Sequence, residues 1–103
     1  MSTMSEKLAS LEKLLRIMDE LREKCPWDRE QTYESLRNLT IEETYELADA
    51  ILMKDTENIK KELGDLLLHI VFYSKMGSET GAFDIKLIHP SVFQQGNSAF
   101  FAF

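Results

Sequence analysis

Five acidic residues fall in two groups along one stretch of the chain: Glu42, Glu43 and Glu46 in "EETYE", then Glu62 and Asp65 in "ELGD". The second group is set into an otherwise apolar run, "ELGDLLLHIVFY". An isolated carboxylate in such surroundings is costly, so it must be protonated, paired or bound to a cation. Glu46 and Glu62 lie sixteen positions apart, roughly 24 Å along a continuous helix and too far to share an ion. Folding the chain back at "KDTEN" changes this. Residue 54 is the midpoint of Glu46 and Glu62 and also of Glu43 and Asp65. An antiparallel hairpin turning near Lys54 and Asp55 therefore sets Glu46 opposite Glu62 and Glu43 opposite Asp65. The three-residue step within each pair keeps both side chains on one helix face.

Four carboxylates converging between two helices require a counter-charge. A hard divalent cation supplies it, and Mg²⁺ suits the pattern because it takes oxygen ligands, keeps several waters and is commonly shared between carboxylates and phosphates. Gly64, a poor helix residue between Glu62 and Asp65, predicts close approach by a neighbouring helix or a ligand. Thr40 followed by Glu43 also fits a capping box, and acidic pairs are common on solvated helix surfaces. A di-iron bundle would need Glu-x-x-His steps, and the chain has none. His69, one turn beyond Asp65, is either an outer contact of the site or a structural histidine.

The elements that must position these groups are helical. Leu8, Leu11, Leu14, Leu15, Met18 and Leu21 recur at three- and four-residue steps, which predicts an amphipathic helix over 6–24. "CPWD" ends it, since Pro26 removes a donor and disfavours the helical region for Cys25. "REQTYESLRN" reads as a connector with room for one or two helical turns. A second helix is expected from about Thr40 to Met53, and a third, capped by Asp55 or Thr56, from about Glu57 to Met76. The third is apolar on nearly every side except that of Glu62, Asp65 and His69, the pattern of a helix in the middle of a bundle. Beyond Gly77, "GSETGAFDI" is loop-like and the remainder shows no clean period.

Composition narrows the class. A chain of 103 residues, 44% hydrophobic and 29% charged, accommodates one folded domain with a modest core. With 18 acidic against 12 basic side chains and a net charge of -6, nucleic acid is not an expected partner. One cysteine, Cys25, excludes an intrachain disulfide and fits a reducing compartment. The N-terminus has no signal-peptide pattern and no apolar run is of membrane-spanning length. The expected location is cytoplasmic, with no membrane partner.

In the order "CPWDREQTYESL", "EETYE", "KKELGDLLLHIVFYSKM" and "GAFDI", the chain resembles the MazG family of nucleoside triphosphate pyrophosphohydrolases. The resemblance implies an all-α antiparallel helical bundle completed by oligomerisation, as a homodimer or larger. It implies Mg²⁺-dependent hydrolysis (with Mn²⁺ as an alternative ion) of a nucleoside triphosphate to monophosphate and pyrophosphate, as nucleotide-pool housecleaning. On the matching positions Glu43, Glu46, Glu62 and Asp65 would hold metal, and Glu42 would orient the attacking water. Lys54, Lys60, Lys61, Arg29 and Arg37 are candidate phosphate contacts, although solvated surface charge is the commoner role for each such residue. Trp27 could stack on a base or anchor a core.

The tail departs from the family pattern. The likeness covers roughly residues 8–85, within a helical domain expected over 1–85, whereas in the tail, 86–103, "KLIHPSVF" follows "FDI" directly, as though most of a further helix were missing. The final "SAFFAF" is apolar and uncharged, which predicts dimerisation, exchange or aggregation through this end. The alternative function is a non-catalytic helical module that binds nucleotide or dimerises without turnover.

Overall fold

The computed structural model describes residues 1–90. Helix α1 spans Met4–Lys24 and opens with a reciprocal cap: the Thr3 hydroxyl accepts from the Glu6 N–H at 3.1 Å, and Glu6 accepts from the Thr3 N–H at 2.8 Å. It stops at Cys25, before Pro26, which begins the short helix α2, Pro26–Glu30. Proline at a helix start loses nothing, because its missing N–H would have had no intrahelical partner. Helix α3 then runs Tyr33–Leu52, α4 runs Thr56–Glu79, and a 3-10 turn covers Ile85–Leu87.

Helix α3 is longer than its sequence suggests, starting seven residues before Thr40. Its cap is Thr32, whose hydroxyl accepts from the Ser35 N–H at 3.1 Å while Ser35 Oγ accepts from the Thr32 N–H at 2.8 Å. Thr40 is thus an interior residue and not a cap. Its hydroxyl donates to the Leu36 carbonyl at 3.2 Å and faces the next helix. Helix α4 likewise continues one turn past Met76, to Glu79.

The α3–α4 hairpin turns where counting places it. Lys54 adopts φ 56°, its N–H bonds to the Ile51 carbonyl at 3.1 Å, and the Asp55 N–H reaches back to the Ala50 carbonyl at 2.9 Å. This is a Schellman termination, with lysine at the left-handed position that glycine usually fills. Asp55 then caps α4 by accepting from the Asn58 N–H at 3.2 Å. Two helices joined by so tight a turn must lie antiparallel.

Helix α4 is the middle helix, packing against α3, α1 and the 3-10 turn, while α2 packs on α1. The all-α antiparallel bundle and the central place of the third long helix are therefore as the sequence predicts. The core gathers at the C-terminal half of α4, where Val71, Phe72 and Met76 meet Met18 of α1 and Leu36 of α3. Arg22 secures this end. Its Nη1 donates to the carbonyls of Asp28, Arg29 and Gln31 at 2.7, 3.1 and 2.9 Å, and its Nε donates to Glu79 at 2.8 Å. The guanidinium also lies 5.8 Å from the Phe72 ring centroid. One side chain thus ties α2 to the end of α4. The chain leaves α4 through Gly81 at φ 73° and folds the Phe83 ring over Gly77, so closely that a Cβ at Gly77 would come within 2.4 Å of it.

Candidate metal centre

Near the hairpin turn, α3 and α4 bring Glu43, Glu62 and Asp65 together, with one carboxylate oxygen from each within 4.8 Å of the others. Glu62 is 5% exposed, and Oε2 of both Glu62 and Glu43 is buried and has no hydrogen-bond partner among the described residues unless the two carboxyls share a proton. An ionised carboxylate only accepts, so two such oxygens side by side need a shared proton or a cation. The proton solution is visible in the electrostatics. Glu43 is pushed up to about 7, first by its hydrogen bond to Glu62 and then by burial and the surrounding charge. Glu62 is held below its usual range, chiefly by that same bond from Glu43, and so carries the charge.

The cation solution fits the donor set. The cluster is all oxygen, which selects a hard ion, and two ligands on one Mg²⁺ lie at most about 4.2 Å apart. Adjacent ligands on such an ion lie about 3 Å apart, so closing oxygens that lie within 4.8 Å of one another requires side-chain movement of up to about 2 Å. Glu46 borders the cluster on the side of the turn. It shares a solvent-open cleft with Asp49, Ala50, Met53, Asp55, Asn58 and Glu62, and its carboxyl is pushed upward, first by a hydrogen bond with Glu62. Three of the four anticipated ligands thus converge directly, with the fourth beside Glu62.

The other anticipated residues are dispersed. Glu42 is exposed on α3, outside the converging group. Lys54 holds the turn. Lys60 pairs with Glu57 at 3.0 Å, away from the cluster. Lys61 lies in it, its Nζ 3.1 Å from Glu62 Oε1 and 3.2 Å from Asp65 Oδ2. Trp27 and Arg29 are exposed on α2, which makes no close contact with α3 or α4. Arg37 lines a separate shallow cleft with Tyr33, Glu34 and Tyr73. Gly64 has open space where a Cβ would stand, so no neighbour among the described residues accounts for it.

One polar link escapes sequence reading. Thr40 Oγ1 meets His69 Nδ1 at 2.9 Å and the Tyr73 hydroxyl at 2.5 Å, and Tyr73 stacks on Tyr33 with centroids 5.9 Å apart. This chain of contacts runs along the α3–α4 interface immediately beyond the carboxylates and fixes the two helices in register. His69 thereby spends Nδ1 on the helix interface. The four-residue spacing of Asp65, His69 and Tyr73 is its only sequence signal.

Comparison with known proteins agrees with this geometry. Residues 31–94 match the MazG nucleotide pyrophosphohydrolase domain. The chain is 47% identical over 103 positions to the nucleoside triphosphate pyrophosphohydrolase/pyrophosphatase MazG of Thermotoga maritima, covering 87% of this chain and 40% of that protein. It is 41% identical over 102 positions to the nucleoside triphosphate pyrophosphohydrolase of Escherichia coli K12, covering 85% of this chain and 39% of that protein. A protein of the same name from Mycobacterium tuberculosis is 44% identical over 63 positions, covering 61% of this chain and 19% of that protein. The chain therefore spans about two-fifths of the length of the first two relatives. No helix among the described residues is long and apolar enough to cross a membrane. With its paired acidic motifs on the two arms of one helical hairpin, and a match over most of its length, the chain belongs to the MazG nucleotide pyrophosphohydrolase domain family.

Proposed function

We propose that this chain is a divalent-metal-dependent nucleoside triphosphate pyrophosphohydrolase acting on the free nucleotide pool. The observation that carries the reading is the convergence of Glu43, Glu62 and Asp65, with a buried oxygen on each of Glu43 and Glu62 that, among the described residues, is left for a shared proton or a cation to satisfy. The names of the relatives point to the same chemistry.

Glu43, Glu62 and Asp65 would hold Mg²⁺ or Mn²⁺, with Glu46 completing the set from the edge. When bound, the ion supplies the positive charge that brings an anionic triphosphate to an acidic site and offsets charge on its phosphoryl oxygens. Hydrolysis consumes one water and breaks the α–β anhydride bond, giving nucleoside monophosphate and pyrophosphate. Glu42, exposed beside Glu43, would accept the proton of that water. Trp27 and Arg29 on α2 remain candidates for the base and a phosphate, as does Lys54 at the turn. A site open to solvent over Glu46 and Asp49 gives the triphosphate its approach.

Residues 1–85 would form the MazG unit and 86–103 a tail, which falls largely outside the described residues. A homo-oligomer in the cytoplasm is the expected assembly. In its support, Leu63, Leu67 and Ile70 make an exposed apolar stripe on α4, and the open space over Gly64 beside it admits a second helix.

Incubation with mixed nucleoside triphosphates and Mg²⁺ should release pyrophosphate, and Glu46→Gln or Asp65→Asn should abolish the release. Nucleotide binding without product over hours would favour the non-catalytic module instead.

A further inference from the structure

The position of Lys61 raises a question that the metal ligands alone do not answer. Its ammonium touches both α4 carboxylates, at 3.1 Å from Glu62 and 3.2 Å from Asp65, and so lies where a metal's charge would lie. Building on the metal-dependent reading above, we infer that Lys61 is a resident counter-ion which a divalent metal displaces, and that its release couples metal binding to binding of the triphosphate.

The two partners of this contact differ in how firmly they are held. Glu62 is fixed, its side chain 6% exposed, whereas the Lys61 side chain is 62% exposed. Lys61 is the residue before Glu62 and four before Asp65, so its ammonium curls along the surface of its own helix and does not cross the α3–α4 interface. A lysine placed N-terminal to its acidic partner at this spacing is the weaker orientation on a helix. An ammonium this open to solvent gains little from its partners, so it can leave without disturbing the core. Among the described residues it is the basic side chain that reaches the cluster, since Lys60 turns to Glu57.

Two states follow. In the metal-free protein the ammonium partly neutralises Glu62 and Asp65. A dication among the same oxygens repels the ammonium and takes its partners, and the freed lysine, anchored one residue from Glu62, then faces the edge at which a metal-bound phosphate arrives. The metal raises affinity for the triphosphate, and by linkage the triphosphate raises affinity for the metal. The lysine also sets a threshold against binding of bare metal. That would favour arrival of metal and nucleotide together.

Calorimetry on the full chain tests this without turnover, with Mg²⁺ alone and then with α,β-methylene-ATP at saturating Mg²⁺. Lys61→Met keeps a good helix former at an exposed position and should fold. It should bind Mg²⁺ alone about three- to tenfold more tightly than the wild type, the scale of an exposed ion pair. The same variant should bind the analogue more weakly by a similar factor. Lys61→Arg, which keeps the charge, should bind Mg²⁺ no more tightly than the wild type. A lysine that only bound phosphate would leave the affinity for Mg²⁺ alone unchanged. Wild-type protein that binds Mg²⁺, with Lys61→Met binding it equally or less well, would overturn the counter-ion and leave the metal centre standing. Absence of Mg²⁺ binding by both proteins, with hydrolysis insensitive to Glu62→Gln, would overturn the counter-ion and the metal centre together.

Discussion

The two halves of α4 are built on opposite terms. Its C-terminal half is satisfied: Val71, Phe72 and Met76 are buried, and every donor direction of Arg22 that faces the protein finds a carbonyl or carboxylate. Its N-terminal half holds a buried glutamate with an unpartnered oxygen, held beside two further acids by a lysine from the surface. An arrangement of that kind does not arise from stability. The contrast locates function, because groups left short of partners in the apo protein are those a ligand can complete.

The strongest way to break the contrast is at its least satisfied point. Glu62→Gln should lower the rate of pyrophosphate release at least about a hundredfold, the scale expected when a metal ligand is lost. Its melting temperature without metal should stay level or rise, because a buried charge is removed. The converse change is Arg22→Ala, which strips three carbonyls of a donor and leaves Glu79 unpaired. It should destabilise the fold by about 3 kcal/mol in urea unfolding, while the folded fraction binds Mg²⁺ at the wild-type affinity.

Two glycines sharpen the comparison at smaller scale. Gly77→Ala places a methyl into the Phe83 ring and should cost about 1–2 kcal/mol, read in the same unfolding experiment. Gly64→Ala meets nothing among the described residues, so dilute protein should gain up to about 1 kcal/mol of helix stability. If the α4 stripe pairs with a second copy, that gain should vanish at concentrations where the oligomer forms.

The sequence was informative where the physics is periodic or additive. All-round apolarity puts α4 at the centre, and the common midpoint at Lys54 sets the two acidic groups opposite each other. Thr40 shows where such reading fails: a threonine three before a glutamate satisfies a capping pattern, yet Thr32 with Ser35 starts the helix earlier. The left-handed turn was invisible in type because lysine occupies it. Arg22 was unreadable for a different reason. Its partners are backbone carbonyls of α2 and an acid 57 positions away, contacts that leave no local pattern. The register also differed in detail, since Glu62 meets Glu43 as well as Glu46.

The smallest effect belongs to pH at the satisfied end. Arg22 holds the Glu79 carboxyl below its usual value of 4.5 by hydrogen bonding. A carboxyl whose pKa is lower folded than unfolded adds stability above the unfolded value, and that stability is lost as pH falls through the folded one. Acid titration of melting temperature should thus fall slightly more steeply below about pH 4.5 for the wild type than for Glu79→Gln, a modest difference because solvent screens so accessible a pair.

Anomalous diffraction from crystals grown with Mn²⁺ tests the central claim most directly. A manganese peak bounded by oxygens of Glu43, Glu62 and Asp65, with Lys61 turned away, is the result the account requires. Full occupancy of manganese elsewhere on the chain, with these three carboxylates bare, would contradict it.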